Sequence, residues 1–288
     1  MLTDNPIILK TIKITSRTIL YILLLILVLF MIYPLIWLFF ASFKENYEIF
    51  GSSKLLPTKW VTDSYVKGWK SVGRFTFTDY FLNTFKLVVP TVLGTVISSF
   101  LTAYGFARFK FKGKKFFFTL MISALLVPNE VLIVPKYLMY KTFGWLNTYK
   151  PFIIPAFCAT YSFFIFLLVQ FMRGIPKELD ESAMIDGASN FTTMTRIIFP
   201  QCLPAMFSVI IFQFVWRWND FFTPLLYINS VRKYPVSLAL RLCIEAGDTV
   251  AWNQAIAMSI LAMLPPVTLY IFAQKWFVEG VVTSGLKE

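Results

Sequence analysis

Histidine is absent from the chain altogether. That removes Ser-His-Asp and Cys-His nucleophilic catalysis, together with every metal centre that depends on imidazole. Cysteine is scarce as well: Cys158, Cys202 and Cys243 are the three in 288 residues, widely spaced and with no C-x-x-C pair. They support neither a disulfide framework nor a zinc site, and they read as packing residues. A phosphate-binding loop, G-x-x-x-x-G-K-[ST], is missing, because the one Gly-Lys, Gly113-Lys114, is followed by Lys115 and has Arg108 where the first glycine belongs. If ATP drives this protein, another chain must bind it. Charge is short too, at 15% of residues, against roughly a quarter in soluble domains.

What is present instead is apolar length. Hydrophobic residues make up 57% of the chain and aromatics 18%, and mean hydropathy is +0.67, which identifies an integral membrane protein. Residues 19–41 carry no charge, and at about 1.5 Å per residue they reach roughly 34 Å, enough to cross a hydrocarbon core of about 30 Å. Lys10, Lys13 and Arg17 precede this run, but its length and the lack of a small-residue cleavage site point to a retained signal anchor. Further spans are expected at residues 87–107, 116–140, 151–172, 203–227 and 249–274. The third carries Glu130 and Lys136 and is punctuated by Pro128 and Pro135, and the sixth is broken by Pro265-Pro266. The expected fold is an all-α membrane protein with six transmembrane helices: residues 1–18 form an N-terminal segment and 19–288 a single transmembrane domain.

Orientation follows from the short loop between spans two and three, where Arg108, Lys110, Lys112, Lys114 and Lys115 cluster. The positive-inside rule puts this loop in the cytoplasm. Alternation then places the N- and C-termini in the cytoplasm and residues 44–84, 141–150 and 228–248 outside. In a membrane protein the net charge of +12 serves topology and anionic lipid headgroups, so no nucleic-acid partner is implied. The first outer loop is rich in aromatics, Trp60, Tyr65, Trp69, Phe75, Phe77 and Tyr80, most of which are expected in an interfacial belt.

One polar interruption stands out between two membrane-length runs, PKELDESAMIDGASNFTTMTRIIFPQCLP from Pro176 to Pro204. Four of the 15 acidic residues lie between Glu178 and Asp186. Pro176 suits a first helical turn, and Glu178, Asp180 and Glu181 place negative charge at the positive end of its dipole. Gly187 can take the left-handed conformation that ends a helix, and Ser189 or Asn190 can cap a second one. In that second helix Phe191, Met194 and Ile198 are expected to share a face. The expectation is helix, tight turn, helix, presented outside the bilayer as a docking element.

The pattern Glu181-Ser182-Ala183-x-x-Asp186-Gly187-Ala188, followed by Ile197 or Ile198 and Pro200, resembles the EAA loop of binding-protein-dependent ABC importer permeases. Ser182 stands where the family usually has a second alanine, and Phe199 where leucine commonly precedes the proline. IPKELDESAMIDGAS, AYGFARFKFKGKK, LLVPNEVLIVPKYLMYKTFGWLNT, WNDFFTPL and QKWFVEGVVTSGLKE are similar to the carbohydrate-uptake branch of that family. The resemblance implies a coupling loop over residues 174–202 that docks in a cleft of an ATPase subunit through Glu181, Ser182, Ala183, Asp186, Gly187, Ala188 and Pro200. It further implies no cofactor in this chain, ATP and Mg bound by a partner ATPase dimer, a second homologous permease, an external solute-binding protein and a carbohydrate substrate. The setting would be the plasma or inner membrane. Residues 231–249 are, by the same resemblance, a candidate surface for the binding protein.

Ionisable residues inside spans are costly, about 2.5–3.5 kcal/mol at mid-bilayer on insertion scales, and usually face the bundle interior or a wet cavity. Arg217 and Asp220, three apart in VWRWNDFF, share a helix face and can pair. Trp218, Asn219 and Asp220, with Glu130 in span three, are candidates for a translocation pathway; the alternative is an interfacial pair and a helix-end carboxylate. Two rivals to the importer reading follow: an ion-gradient-driven secondary transporter using Glu130 and Asp220, and an importer permease for a non-sugar solute. A membrane enzyme lacks any paired nucleophile and base.

Overall fold

Inside a bilayer the backbone has no water to bond to, so long apolar segments satisfy their own N–H and C=O groups as helices. A computed structural model describes residues 6–70, 75–245 and 251–285, and the regular elements among them are all helical. Five helices are long and apolar enough to cross a membrane, or six when one sharply bent pair is taken as a span. The chain divides into two units, Met1–Lys70 with Cys243–Leu261, and Ser71–Leu242 with Ala262–Glu288.

The first unit contains α1 (Pro6–Ala41), α2 (Asn46–Gly51), α3 (Asp63–Lys70) and the first turns of the last helix. Ala41, Ile49 and Ile256 are buried at its core, with Trp37, Leu38, Trp252 and Ile260 packed around them. The residues between α1 and α3 fold around two buried charges. The Lys44 ammonium donates to the Lys54 carbonyl, and Glu48 accepts from the Thr58 N–H at 2.9 Å and hydroxyl at 2.7 Å. Trp60 and Tyr65 pack against Phe43. Along most of α1 the apolar side chains stay exposed.

The second unit is organised around α4 (Phe77–Arg108). Phe77 and Tyr80, expected in an interfacial belt, are instead fully buried at its start. The third expected span, residues 116–140, is not one straight helix. It is α5 (Lys114–Leu125), a 3-10 turn (Asn129–Leu132) and α6 (Ile133–Thr142), bent by 96°. Pro128 at the break lacks the N–H that would continue the ladder, and it disfavours helix at the preceding residue. Next come α7 (Lys150–Phe157), α8 (Ser162–Arg173), α9 (Glu178–Ile185), α10 (Asn190–Thr193), a π-helical turn (Met194–Ile198) and α11 (Phe199–Trp218).

The fifth expected span, 203–227, also differs: α11 stops at Trp218 and a separate α12 covers Phe222–Tyr227. Asp220 sits at the break, where its Oδ1 accepts the Thr223 N–H from the first turn of α12 at 3.1 Å. After α13 (Val236–Glu245), α14 (Trp252–Gly285) runs through Pro265-Pro266 as one helix, extending past the expected end at 274. Residues 246–250, which include the first two of that expected span, and the last three residues of the C-terminal motif lie outside the described residues.

α4 packs against α7, α8 and α11. Its inner face is a seam of small polar residues, Thr91, Thr95, Ser98 and Ser99, all buried. Ser98 donates to the Ala156 carbonyl at 2.6 Å, and Gln213 on α11 donates to Thr95 at 3.1 Å. Small residues let membrane helices approach closely while their hydroxyls bond across the interface. Of the cysteines, Cys202 is buried as expected, Cys243 is half-buried, and Cys158 is exposed at the end of α7; all three are free.

Candidate functional site

The polar interruption folds as the sequence anticipates, a helix, a tight turn and a second helix, beginning two residues after Pro176. Three carboxylates fall in the first turn of α9, where the exposed N–H groups favour negative charge. Its end is closed by a Schellman pattern: the Ala188 N–H bonds to the Ala183 carbonyl at 2.9 Å and the Gly187 N–H to the Met184 carbonyl at 3.1 Å. This closure needs a left-handed residue, and Gly187 supplies it with φ 79°. Ser189 then caps α10, its hydroxyl accepting the Thr192 N–H at 3.2 Å.

The expected residues sort by direction. Glu181, Ser182, Asp186, Gly187 and Pro200 are exposed, Ala188 is half-buried, and Ala183 turns inward. Beside the exposed carboxylates stand Met184 at 55% exposure, Ile185 at 86% and Phe191 at 70%. A surface of free carboxylates and large apolar side chains is suited to a protein partner. Phe191 does not share a face with Ile198, which is fully buried. The π-helical turn between them adds a residue per turn and rotates the face.

The fourth carboxylate behaves differently, and sequence reasoning gave it no separate role. Asp180 is buried, and its Oδ2 lies 3.1 Å from Nε of Arg108, the last residue of α4. Side-chain exposures are 6% for Arg108 and 12% for Asp180. Both terminal nitrogens of Arg108 donate to the Ile175 carbonyl at 3.2 Å. Four residues earlier on α4, the Tyr104 hydroxyl donates to the Asn190 carbonyl at 3.4 Å. The last turn of α4 thus holds both halves of the helix-turn-helix. Arg108 was legible only as one of five cations in a basic loop, and a separation of 72 residues leaves no local signal of its partner.

At the end of α11 the second set of candidates is partly assembled. Arg217 and Asp220 do pair, at 2.6 Å. Arg217 also donates to the Tyr161 hydroxyl at 2.9 Å and lies over the Phe152 ring at 5.7 Å. Asp220 accepts from the Thr223 hydroxyl as well, and its carbonyl accepts from Ser237 at 2.8 Å. Trp218 is buried, stacked on Phe214, with Nε1 donating to the Ala262 carbonyl at 2.9 Å. Asn219 is exposed, and Glu130 is exposed in the 3-10 turn between α5 and α6.

Close to the N-terminal end of α4, residues 228–236 are fastened down. Asn83 donates to the Arg232 and Tyr234 carbonyls at 2.7 and 3.1 Å, and Tyr149 to the Lys233 carbonyl at 3.0 Å. Lys233 donates to the Asn147 carbonyl at 2.7 Å.

Residues 94–283 match the family described as binding-protein-dependent transport system inner membrane component. The chain belongs to this family. It is therefore a multi-pass permease subunit of an ABC importer in the cell membrane, and ATP hydrolysis belongs to a separate subunit. The trehalose/maltose transport system permease protein MalG of Thermococcus litoralis is 29% identical over 96% of this chain and 98% of its own length. The sn-glycerol-3-phosphate transport system permease protein UgpE of Rhizobium meliloti is 29% identical over 93% of this chain and 97% of its own. A crystal structure of a bacterial ABC transporter for import of the acidic polysaccharide alginate shares the fold, with TM-score 0.78 and 20% identity over 91% of this chain and 96% of that one.

Proposed function

We propose that this permease subunit imports a carbohydrate delivered by an external solute-binding protein, working with a second homologous permease and two copies of an ATPase that bind ATP and Mg. The observation that carries this reading is the capped helix-turn-helix at α9 and α10, its three free carboxylates set beside exposed Met184, Ile185 and Phe191. Such a surface fits a cleft in a partner. Glu181 and Asp186 offer acceptors for charge-assisted hydrogen bonds, each worth about 1.5–3 kcal/mol when well paired. Ser182, Gly187 and Ala188 permit close approach, Ala183 packs the helix onto its own chain, and Pro200 starts α11. The basic loop at residues 108–115, the chain termini and the helix-turn-helix all lie on the cytoplasmic side.

Transport proceeds by alternating access. A ligand shifts a conformational equilibrium only by its differential affinity for the two states, so ATP must make the ATPase pair favour the outward-open permease and hydrolysis must remove that preference. For the pathway, Asn219 and Glu130 supply exposed polar groups, and Trp218 and Asp220 shape the end of α11. The carbohydrate assignment is supported by the MalG relative and by the sequence motifs of the carbohydrate branch. The UgpE relative supports a second reading, a polyol phosphate.

The experiment is gentle extraction of the tagged chain from native membranes, mass spectrometry of what co-purifies, and uptake assays on the reconstituted complex. A P-loop ATPase and a second six-span permease are expected in stoichiometric amount. Glu181→Lys should insert normally yet separate ATP hydrolysis from uptake. A lone chain, or wild-type uptake by Glu181→Lys, would sink the reading. Stimulation of ATP hydrolysis by maltose and trehalose or by sn-glycerol 3-phosphate, each with the co-purified binding protein, decides the solute class.

A further inference from the structure

Beside the apolar packing of Ile175, Met194 and Ile198 in the core, two chain connections and one polar side-chain route join the helix-turn-helix to the membrane helices. On one side α8 ends at Arg173 and the chain passes through Gly174, Ile175 and Pro176 without regular structure before α9. On the other, α10 enters α11 through the π-helical turn Met194–Ile198, with Pro200 and Pro204 immediately beyond. A π turn has wider, less uniform hydrogen bonding than an α-helix, and each proline removes one N–H from the ladder. The first covalent route is therefore compliant, while the second runs on as one helix, Asn190–Trp218, marked by the π turn and the two prolines.

The third route is not covalent. Arg108 grips the Ile175 carbonyl with both terminal nitrogens and faces the Asp180 carboxylate with Nε, all in a site from which water is largely excluded. The guanidinium is planar and always charged, so its two bonds to the Ile175 carbonyl fix direction while its charge holds Asp180 at 3.1 Å. Tyr104, on the same face one turn back, holds Asn190 at the start of α10. Both tethers end on α4, the helix that packs on α7, α8 and α11 and bears the buried polar seam.

We infer that Arg108 is a positioning residue for the coupling step: with Asp180 it forms the stiff link that carries movement of α9 into α4. The inference rests on the coupling role proposed above for α9. Arg108 touches neither ATP nor solute; it acts through Ile175 and Asp180. Of the four carboxylates, Asp180 is the one spent within the chain, and Glu178, Glu181 and Asp186 stay free for a partner.

The test uses the whole co-purified complex in lipid nanodiscs, with Mg-ATP plus vanadate as the probe and hydrogen exchange read by mass spectrometry over α9 and over the last turns of α4. In the wild type, nucleotide should change exchange in both segments. In Arg108→Gln the change over α9 should persist and the change over α4 should be lost; Arg108→Gln with Asp180→Asn should lose no more than the single variant. An unaltered α4 response in Arg108→Gln overturns the inference, as does loss of both responses together, which marks a residue that only holds the fold. Should Arg108→Gln fail to accumulate, the near-isosteric Asp180→Asn decides: a weakened α4 response beside a normal α9 response supports the link, and a normal response in both overturns it. Failure of the coupling role itself reads differently, as a wild-type complex in which nucleotide leaves α9 unchanged.

Discussion

Single side chains carry two kinds of constraint here, electrostatic and steric. The Glu48 carboxyl is held below the usual glutamate range, first by the Thr58 hydroxyl, then by the Thr58 N–H, with smaller help from Lys44 and Lys54 against the cost of burial. A carboxylate with a depressed folded pKa stabilises above its unfolded pKa, about 4.3, and loses that contribution as pH falls through the folded value. Protection from hydrogen exchange over residues 44–61, taken relative to the intrinsic rate at each pH, should therefore fall on acidification below that range, and Glu48→Gln should flatten the dependence; constant protection in the wild type would contradict it. The steric case is Gly94, where an added Cβ would stand 2.6 Å from the Phe157 ring. Gly94→Val should overpack the α4–α7 contact and cost about 1–3 kcal/mol, read as a lower melting temperature of the extracted complex. Phe157→Ala in the same chain should recover part of the loss. Neither Thr58 as partner of Glu48 nor Phe157 as neighbour of Gly94 is legible in sequence, because both pairs meet through loop closure or helix packing rather than a fixed local spacing.

Among elements, α9 was the most legible, because its start and end are set by local chemistry. Acidic residues in the first turn, Gly187 after the last and Ser189 as the next cap each act within four residues of themselves. Gly187→Ala should cost about 1–2 kcal/mol for a non-glycine residue in the left-handed region. Faster exchange over residues 178–186 is the expected sign, and Gly187→Asn, which tolerates that region better, should lie between. Periodicity failed where the ladder itself changes. The π turn at Met194–Ile198 separates the faces of Phe191 and Ile198, and Pro128 and Asp220 divide the third and fifth apolar runs. Hydropathy counts residues without regard to such breaks, so it located these runs but not their shape.

For the molecule as a whole, the decisive quantity is the energy source. Asp220, offered as an ion carrier in the secondary-transport alternative, is engaged by Arg217 and by the hydroxyl and N–H of Thr223. Those contacts occupy both of its carboxylate oxygens. Uptake into proteoliposomes of the complex should continue when an ionophore collapses the membrane potential and stop when ATP is withheld; the reverse pattern would return the ion-coupled alternative. Composition alone established a membrane protein without histidine chemistry, since that conclusion depends only on which residues exist. Spacing alone established the number of apolar runs and the helix-turn-helix, since caps, glycine turns and hydrophobic length act over a few residues. Only the tertiary structure decided that Arg108 leaves the basic loop to hold Asp180 and Ile175, and that Arg217 draws in Tyr161 and Phe152. Those partners lie tens of residues apart, and burial, which no local spacing encodes, is what gives their contacts strength.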